Sequence, residues 1–167
     1  KFPHVTYFFN GFRQSLGERQ ISIPDTPGGP ETYPRMRVDE TVDACRRVMT
    51  NGRETGFVVN IPNLDQVGHS GDVGLCRQAA EAVDHALSQI VAQARQAGWT
   101  LAITADHGNA ERLLDDQGRG FGSHTANPVP FTIVTADGGR VEWAPGASGL
   151  DNVAPTMAAL LGLDPGE

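Results

Sequence analysis

Residues 100–111 read TLAITADHGNAE, a short run of apolar and β-branched residues that passes directly into an aspartate and a histidine. Residues 100–104 predict a β-strand, and Asp106 and His107 would then stand at its carboxyl end. Open α/β sheets bind their ligands at the carboxyl ends of strands. The stretch therefore predicts an α/β fold and indicates the edge of the sheet where a site would lie.

A second strand and a long helix precede this stretch. Residues 56–61, GFVVNI, are short, apolar and β-branched and stop at Pro62, which is typical of a buried parallel strand. Asp72 is a suitable N-cap for a helix that ends at Gly98. Strand, helix and strand would form a βαβ unit with a right-handed crossover and a parallel strand pair. The helix should bury one stripe of residues at helical spacing: Ala79, Val83, Leu87, Ile90, Val91 and Ala94.

The rest of the chain continues the α/β pattern. Residues 4–9 are β-branched and aromatic and predict a strand, while the prolines and glycines between residues 12 and 34 predict a loop. Residues 129–134 predict a further strand. Residues 151–161 predict a last helix, with Asp151 as N-cap, Pro155 near the first turn and Gly162 as terminator. Another helix, closed by the Asn-Gly pair at 51–52, is predicted by four apolar residues: Val38, Val42, Cys45 and Met49.

The bulk composition narrows the class of protein. With 167 residues, 39% of them hydrophobic, the chain can form one soluble domain with a core. Its net charge of −7 argues against a nucleic-acid partner, because the basic surface that neutralises phosphates is missing. No apolar run reaches the ~20 residues of a membrane span and the N-terminus has no signal-peptide pattern, so we expect a cytoplasmic protein without a membrane partner. Cys45 and Cys76 lack CxxC spacing and predict reduced thiols without a function.

Five side chains of metal-ligand type gather in three glycine-containing segments. Asp65 and His69 lie in DQVGH, Asp106 and His107 in ADHG, and His124 in GSHTANP. Mixed imidazole and carboxylate ligands indicate zinc, manganese or iron, since magnesium and calcium sites are built almost entirely of oxygen. Five protein ligands exceed the three of a usual catalytic zinc site and are too few to fill two ions. The sequence therefore predicts a two-metal centre that lacks some ligands, and such centres are typical of phosphoryl transfer.

Each segment also has an ordinary explanation when it stands alone. An aspartate and a histidine four residues apart can pair on a helix surface, although Pro62 and Gly68 argue against a helix there. ADHG could be a turn with a helix cap, and His124 could be a hydrogen-bonded loop residue. The coincidence of three such segments favours the metal site. We interpret His4 and His85 as structural, and likewise the asparagines in the predicted loops, Asn10, Asn60 and Asn109.

Longer motifs surround the candidate ligands: KFPHVTYFFNG (1–11), LDQVGHSG (64–71), EAVDHAL (81–87), ITADHGNAE (103–111), SHTANPVPF (123–131) and APTMAALLGL (154–163). In this order and spacing they closely resemble the cofactor-independent phosphoglycerate mutases of the alkaline phosphatase superfamily. The resemblance implies a three-layer αβα sandwich with a mainly parallel sheet, of which residues 1–167 would form an incomplete part. It departs from the family in FNGF at 9–12, where the family more often has FNGG, and in NIPNLD at 60–65.

The resemblance also implies an activity and roles for the candidate ligands. The complete enzyme would hold two Mn²⁺, or Zn²⁺ or another divalent transition metal, and would interconvert 3-phosphoglycerate and 2-phosphoglycerate in glycolysis through a phosphoserine. We expect a monomeric parent protein. By the same resemblance, Lys1 would lie at the catalytic centre near the transferred phosphate. One metal would be held by Asp65, His69 and His124, and the other by Asp106 and His107.

The resemblance further implies that several parts of the enzyme lie outside these residues. In the family, the serine nucleophile and an aspartate of the second metal belong to an N-terminal segment, and an inserted domain grips the substrate. We do not interpret Ser70 as that nucleophile. We therefore expect residues 1–167 to be the C-terminal portion of the phosphatase-like domain, inactive alone and with at most one tightly held ion. The alternatives are a zinc phosphatase or phosphodiesterase of the same superfamily, and a non-catalytic metal-binding module.

Overall fold

The computed structural model describes residues 1–143, 146 and 149–163. The described residues form five α-helices and two β-strands, with short 3₁₀ helices at Phe2–Val5 and Leu150–Asn152. The helices are α1 (Gly29–Thr32), α2 (Val38–Asn51), α3 (Asn63–Gly68), α4 (Val73–Ala97) and α5 (Val153–Leu160), and the strands are β1 (Leu101–Thr104) and β2 (Phe131–Val134).

The main core lies between α2 and α4. The predicted stripe of α2 is confirmed, because Val38, Val42, Cys45 and Met49 are all buried. The helix ends where predicted, at Gly52, whose positive φ of 67° suits glycine. Burial raises the pKa of the Cys45 thiol to about 11, and Cys45 and Cys76 are both free, as predicted. The α2 stripe faces Ala82, Ala86, Ile90 and Ala94 of α4.

Helix α4 begins and ends as predicted, but it buries a different stripe. The Asp72 carboxylate accepts a hydrogen bond from the backbone N–H of Leu75 at 2.9 Å, which confirms the N-cap, and Gly98 ends the helix with a φ of 75°. The prediction that Val83, Leu87 and Val91 are buried was wrong, since all three are only partly covered. Small side chains take their place because they let α2 approach closely. The buried residues of α4 are Cys76, Ala79, Ala82, Ala86, Ile90 and Ala94.

A smaller core joins α3 to α4 and holds α3 in place. Val67 of α3 is fully buried against Cys76 and Ala79 of α4. Asn63, 1% exposed, opens α3 and donates from its side-chain amide to the carbonyl oxygens of Pro34 and Arg35, at 3.0 and 2.8 Å. These contacts anchor both ends of a helix that is only six residues long.

The sheet differs from the expected one. Strand β1 was predicted and is confirmed, and β2 lies within the predicted residues 129–134, but the two strands pair antiparallel, with Leu101 opposite Val134. The predicted strand at 56–61 was wrong, and so was the parallel βαβ pair, because the described residues give that segment no strand partner. Its β-branched residues favour extended backbone, yet a strand also needs a neighbour to complete its hydrogen bonds. The mainly parallel sheet therefore does not appear among the described residues.

The N-terminal prediction was also wrong. Residues 4–9 form no strand: Phe2–Val5 is a 3₁₀ helix, with Pro3 in its first turn, and turns follow. Local backbone bonds explain the difference, since Phe8 N–H donates to the carbonyl of Pro3 at 2.9 Å and Asn10 N–H to that of Thr6 at 2.8 Å. The backbone thereby satisfies itself within a few residues instead of pairing with a distant strand.

The remaining predictions hold in outline. The region 12–34 is irregular except for α1. The last helix, α5, starts later than predicted, because Asp151 lies in the preceding 3₁₀ turn rather than at the N-cap, while Pro155 falls in the first turn of α5 and Gly162 follows the helix with a φ of 71°. Within the described ranges no helix has both the length and the apolar character that crossing a bilayer requires.

Candidate metal centre

Asp65 is the centre of the candidate site. It lies in α3, and His69 follows immediately after the last residue of that helix. The prediction that Pro62 and Gly68 argue against a helix here was wrong. The helix is present, and it turns the two side chains to the same side because they are four residues apart. Gly68 has a packing role: a side chain there would overlap the amide of Asn109.

The other ligands come from two loops. Asp106 and His107 follow β1, as predicted, and His124 lies on the loop that leads to β2. An antiparallel bridge joins Gly108 to Thr125, and the N–H of Thr125 donates to the carbonyl of Gly108 at 2.9 Å. This bridge brings His107 and His124 together, with ring centroids 3.6 Å apart and the rings stacked at 20°.

The two oxygens of Asp65 face different partners. Oδ2 lies 2.5 Å from Lys1 Nζ, and Oδ1 faces the Nε2 atoms of His124, His69 and His107 at 3.0, 3.4 and 3.7 Å. The Nε2 atoms of His69 and His124 are 3.3 Å apart. One carboxylate oxygen and three imidazole nitrogens therefore converge on a small volume, and Asp65, His107 and His124 alone could hold an ion.

A backbone contact orients the imidazole of His69. His69 Nδ1 lies 2.8 Å from the carbonyl oxygen of Gly122, which can only accept. Nδ1 must therefore carry the proton and donate, and Nε2 keeps its lone pair when the ring is neutral. Metal-bound histidines commonly use the second ring nitrogen in this way, and a backbone carbonyl is a usual partner. Only glycine fits at 122, because a Cβ would overlap the carbonyl of His69.

The electrostatics of Asp65 suit a ligand. Burial acts to raise the pKa of this carboxyl group, but the hydrogen bond and positive charge of Lys1, with a hydrogen bond from His124, outweigh it and hold the pKa below its usual value. Asp65 is therefore ionised at neutral pH. A carboxylate with several imidazoles is a donor set that divalent transition metals accept, so the residues present fit such an ion.

The structure brings all the predicted site residues into one neighbourhood, with Asp106 at its margin. The Asp106 side chain is 62% exposed and its Oδ1 lies 3.5 Å from His107 Nε2. His107 is thus shared between Asp106 and the Asp65 group, and the division of the ligands between two ions stays a prediction. Ser70 lies beside the site in a turn, where its hydroxyl donates to the carbonyl of Val67 and accepts from the N–H of Asp72.

Several residues that support the site were not singled out from the sequence. Asn109, interpreted only as a turn residue, is 5% exposed, and its side-chain amide donates to the carbonyl of Asp65 at 3.3 Å. Gly122, Thr125 and Asn127 do not have side chains of the metal-ligand types that drew attention, and the Glu111 carboxylate was not considered. Their one signal was position, since all lie within a few residues of a candidate ligand.

Comparisons with known proteins show which proteins the chain resembles. A 2,3-bisphosphoglycerate-independent phosphoglycerate mutase of Synechocystis sp. is 39% identical over 98% of this chain, and one of Myxococcus xanthus is 37% identical over the same share. A crystal structure of Leishmania mexicana phosphoglycerate mutase at low cobalt concentration superposes with a TM-score of 0.88 at 31% identity, covering 98% of this chain. The α/β fold is therefore shared with that enzyme.

The comparisons also show how much of each relative the chain covers. It spans about a third of each of these relatives: 32% of the two bacterial proteins and 33% of the Leishmania chain. A family model described as the metalloenzyme superfamily matches residues 1–165. Because that match runs through nearly every residue, the chain belongs to the metalloenzyme superfamily.

Proposed function

We propose that this chain is the metal-holding C-terminal part of a cofactor-independent phosphoglycerate mutase. The observation that carries the proposal is the convergence of Asp65 Oδ1 with the Nε2 atoms of three histidines. The names of the relatives support the substrate class, a phosphoglycerate. The expected glycolytic role, cytoplasmic location, monomeric state and αβα sandwich belong to the same proposal.

In this proposal each candidate site residue has a role. Asp65, His69 and His124 hold one divalent ion, with Mn²⁺ as the expected metal, and Asp106 and His107 contribute to a second. A bound ion would supply positive charge to the oxygens of a transferring phosphoryl group. We expect Lys1 to add to that charge, and the position of its ammonium group against Asp65 supports this role. The serine that forms the phosphoenzyme would come from polypeptide outside these residues.

The metal site is tested by titrating the chain with Mn²⁺ and with Co²⁺ in a calorimeter. We expect one tight site, which the His124→Ala substitution abolishes. The matched control is His85→Ala, which removes an exposed histidine from the middle of α4, away from the site. Equal binding by wild type and His124→Ala would overturn the site, and two equivalent tight sites would overturn the single-ion expectation.

The activity is tested in two proteins. We expect residues 1–167 alone to show no interconversion of 3-phosphoglycerate and 2-phosphoglycerate, because covalent catalysis needs the serine. The full-length protein that contains them should catalyse it, and should lose the activity on Lys1→Met substitution. Metal analysis and an assay with nitrophenyl phosphate address the alternative: bound zinc with phosphatase turnover, and no mutase activity in the full-length protein, would replace the mutase with a zinc phosphatase.

A further inference from the structure

Glu111 joins the two loops that carry His107 and His124. Its Oε1 accepts a hydrogen bond from the hydroxyl of Thr125 and another from the side-chain amide of Asn127, the latter at 2.9 Å. Its Oε2 accepts from the backbone N–H of Asn109 at 2.6 Å. The Asn109 contact lies on the loop of His107, whereas Thr125 and Asn127 lie on the loop of His124. One carboxylate thus bonds to both loops.

The backbone at this junction is built for close approach. Gly108 forms the bridge to Thr125, and a Cβ at position 108 would overlap both the Thr125 hydroxyl and the Glu111 carboxylate. Only glycine therefore lets the two loops meet with the carboxylate between them. His107 and His124, whose rings are stacked, immediately precede Gly108 and Thr125 in the sequence.

We propose that Glu111 is a positioning residue, whose carboxylate holds the two loops in the register that stacks His107 on His124 and directs both Nε2 atoms at Asp65. The inference rests on the proposed metal centre. Glu111 acts through the loops, since both of its oxygens are already engaged by donors from these loops. Hydrogen bonds to an ionised acceptor are stronger than those between neutral groups. Such bonds can therefore hold together two loops whose residues at this junction belong to no helix or strand.

The ionisation state of Glu111 agrees with this role. The hydrogen bond from Thr125 is the main cause that lowers the pKa of Glu111; burial acts to raise it, and the donors from Asn127 and Asn109 act with Thr125 to keep the pKa below its usual value. The group is therefore a carboxylate at neutral pH and can accept all three hydrogen bonds.

The test compares Glu111→Ala with the matched control Asp137→Ala. Asp137 is also an exposed carboxylate that accepts a nearby backbone N–H, from Gly139 at 2.9 Å, but it lies in the turn after β2. The probe is Co²⁺, followed by calorimetry and by its visible absorption. We expect Glu111→Ala to weaken Co²⁺ binding about 10- to 100-fold, the usual effect of removing a group that orients metal ligands, and to alter the Co²⁺ spectrum. Asp137→Ala should change neither.

Two further measurements separate positioning from a general loss of stability. In the metal-free chain, hydrogen exchange at the Thr125 amide should be faster in Glu111→Ala, because that amide bonds to Gly108 across the junction. Thr125→Val should weaken Co²⁺ binding as well, and Thr125→Ser, which keeps the hydroxyl, should restore it. The double variant Glu111→Ala/Thr125→Val should be little weaker than Glu111→Ala alone, since the hydrogen bond that Thr125→Val removes is already absent without Glu111.

The outcomes distinguish this inference from the proposed function. If the wild type binds Co²⁺ and Glu111→Ala binds it equally well, the positioning role is wrong while the metal centre stands. If the wild type binds no Co²⁺, the metal centre is wrong and the positioning role with it. Equal thermal unfolding of Glu111→Ala and Asp137→Ala, together with a loss of Co²⁺ affinity in the first alone, supports the role.

Discussion

Asp65 combines two tasks that separate carboxylates often perform. Its Oδ2 balances the charge of Lys1 at 2.5 Å, and its Oδ1 is left to face three imidazole nitrogens. Lys1 thereby keeps the group ionised in a setting that is only 17% exposed. Because Lys1 pairs with one oxygen of Asp65, the carboxylate has a charged partner even when no metal ion is bound. The other oxygen remains available to bind an ion.

Gly122 shows how a residue without reactive chemistry can decide the geometry of a ligand. We expect Gly122→Ala to weaken metal binding, because a Cβ would overlap the carbonyl of His69 and push apart the pair that orients the His69 ring. Overpacking of this kind also costs about 1–3 kcal/mol of unfolding free energy. Calorimetric Co²⁺ titration and urea denaturation measure the two effects.

The control for that substitution is Gly56→Ala. Gly56 has no atom within 4 Å of an added Cβ and no positive φ, so its substitution should change neither metal affinity nor stability by much. If Gly122→Ala bound Co²⁺ as tightly as Gly56→Ala does, the carbonyl contact to His69 would have no part in orienting the ligand.

Phe12 carries a strain that can be measured at a single residue. Its φ of 65° lies in the left-handed region, and the residue is 70% exposed. A non-glycine residue in this conformation costs about 1–2 kcal/mol. We expect Phe12→Gly to be more stable than Phe12→Ala by about 1 kcal/mol in urea denaturation, since both lose the ring and only glycine relieves the backbone. Equal stability of the two variants would show that the backbone is not strained.

At the level of elements, the helices could be predicted and some of their contacts could not. The cap at Asp72, the glycine stops and the α2 stripe all follow from local chemistry, which the sequence displays directly. The α4 stripe depended on what packs against it: alanines face α2, and larger apolar residues lie at the edge. The helix at DQVGH was missed because Gly68 was interpreted as a breaker, whereas its lack of a side chain makes room for Asn109.

The stripe of α4 can be tested by truncating one residue at its centre and one at its edge. Ile90 is 4% exposed within the main core, and Leu87 is only partly covered. We expect Ile90→Ala to lower the unfolding free energy by about 2–5 kcal/mol, because it leaves a cavity between α2 and α4. Leu87→Ala should cost clearly less in the same urea denaturation. If Leu87→Ala lowered the unfolding free energy more than Ile90→Ala does, Leu87 would lie in the core as expected from the sequence.

On the scale of the whole molecule, the α/β class was predictable and the sheet was not. The candidate ligands Asp106 and His107 follow β1 as predicted, because a short apolar run that passes into a glycine-containing segment marks the end of a strand. Pairing is different, since it depends on segments far apart in sequence. GFVVNI at 56–61 has the composition of a strand without a strand partner among the described residues, and the chain covers only about a third of its relatives.

The N-terminal region presents an apolar surface that should be detectable in solution. Phe8, Phe9 and Phe12 are 50%, 64% and 70% exposed, and the rings of Phe8 and Phe12 contact each other. Contiguous apolar surface of this kind binds hydrophobic dyes, whereas single exposed apolar residues are ordinary. We expect Phe8→Ser/Phe9→Ser to lower the fluorescence of an added naphthalene sulfonate dye while leaving the thermal midpoint nearly unchanged, because neither ring belongs to the main core.

Leu114→Ser, which removes an exposed apolar residue from elsewhere on the surface, is the matched control and should change the dye signal little. Equal dye signals from the wild type and the double variant would mean that these rings do not form the dye-binding surface.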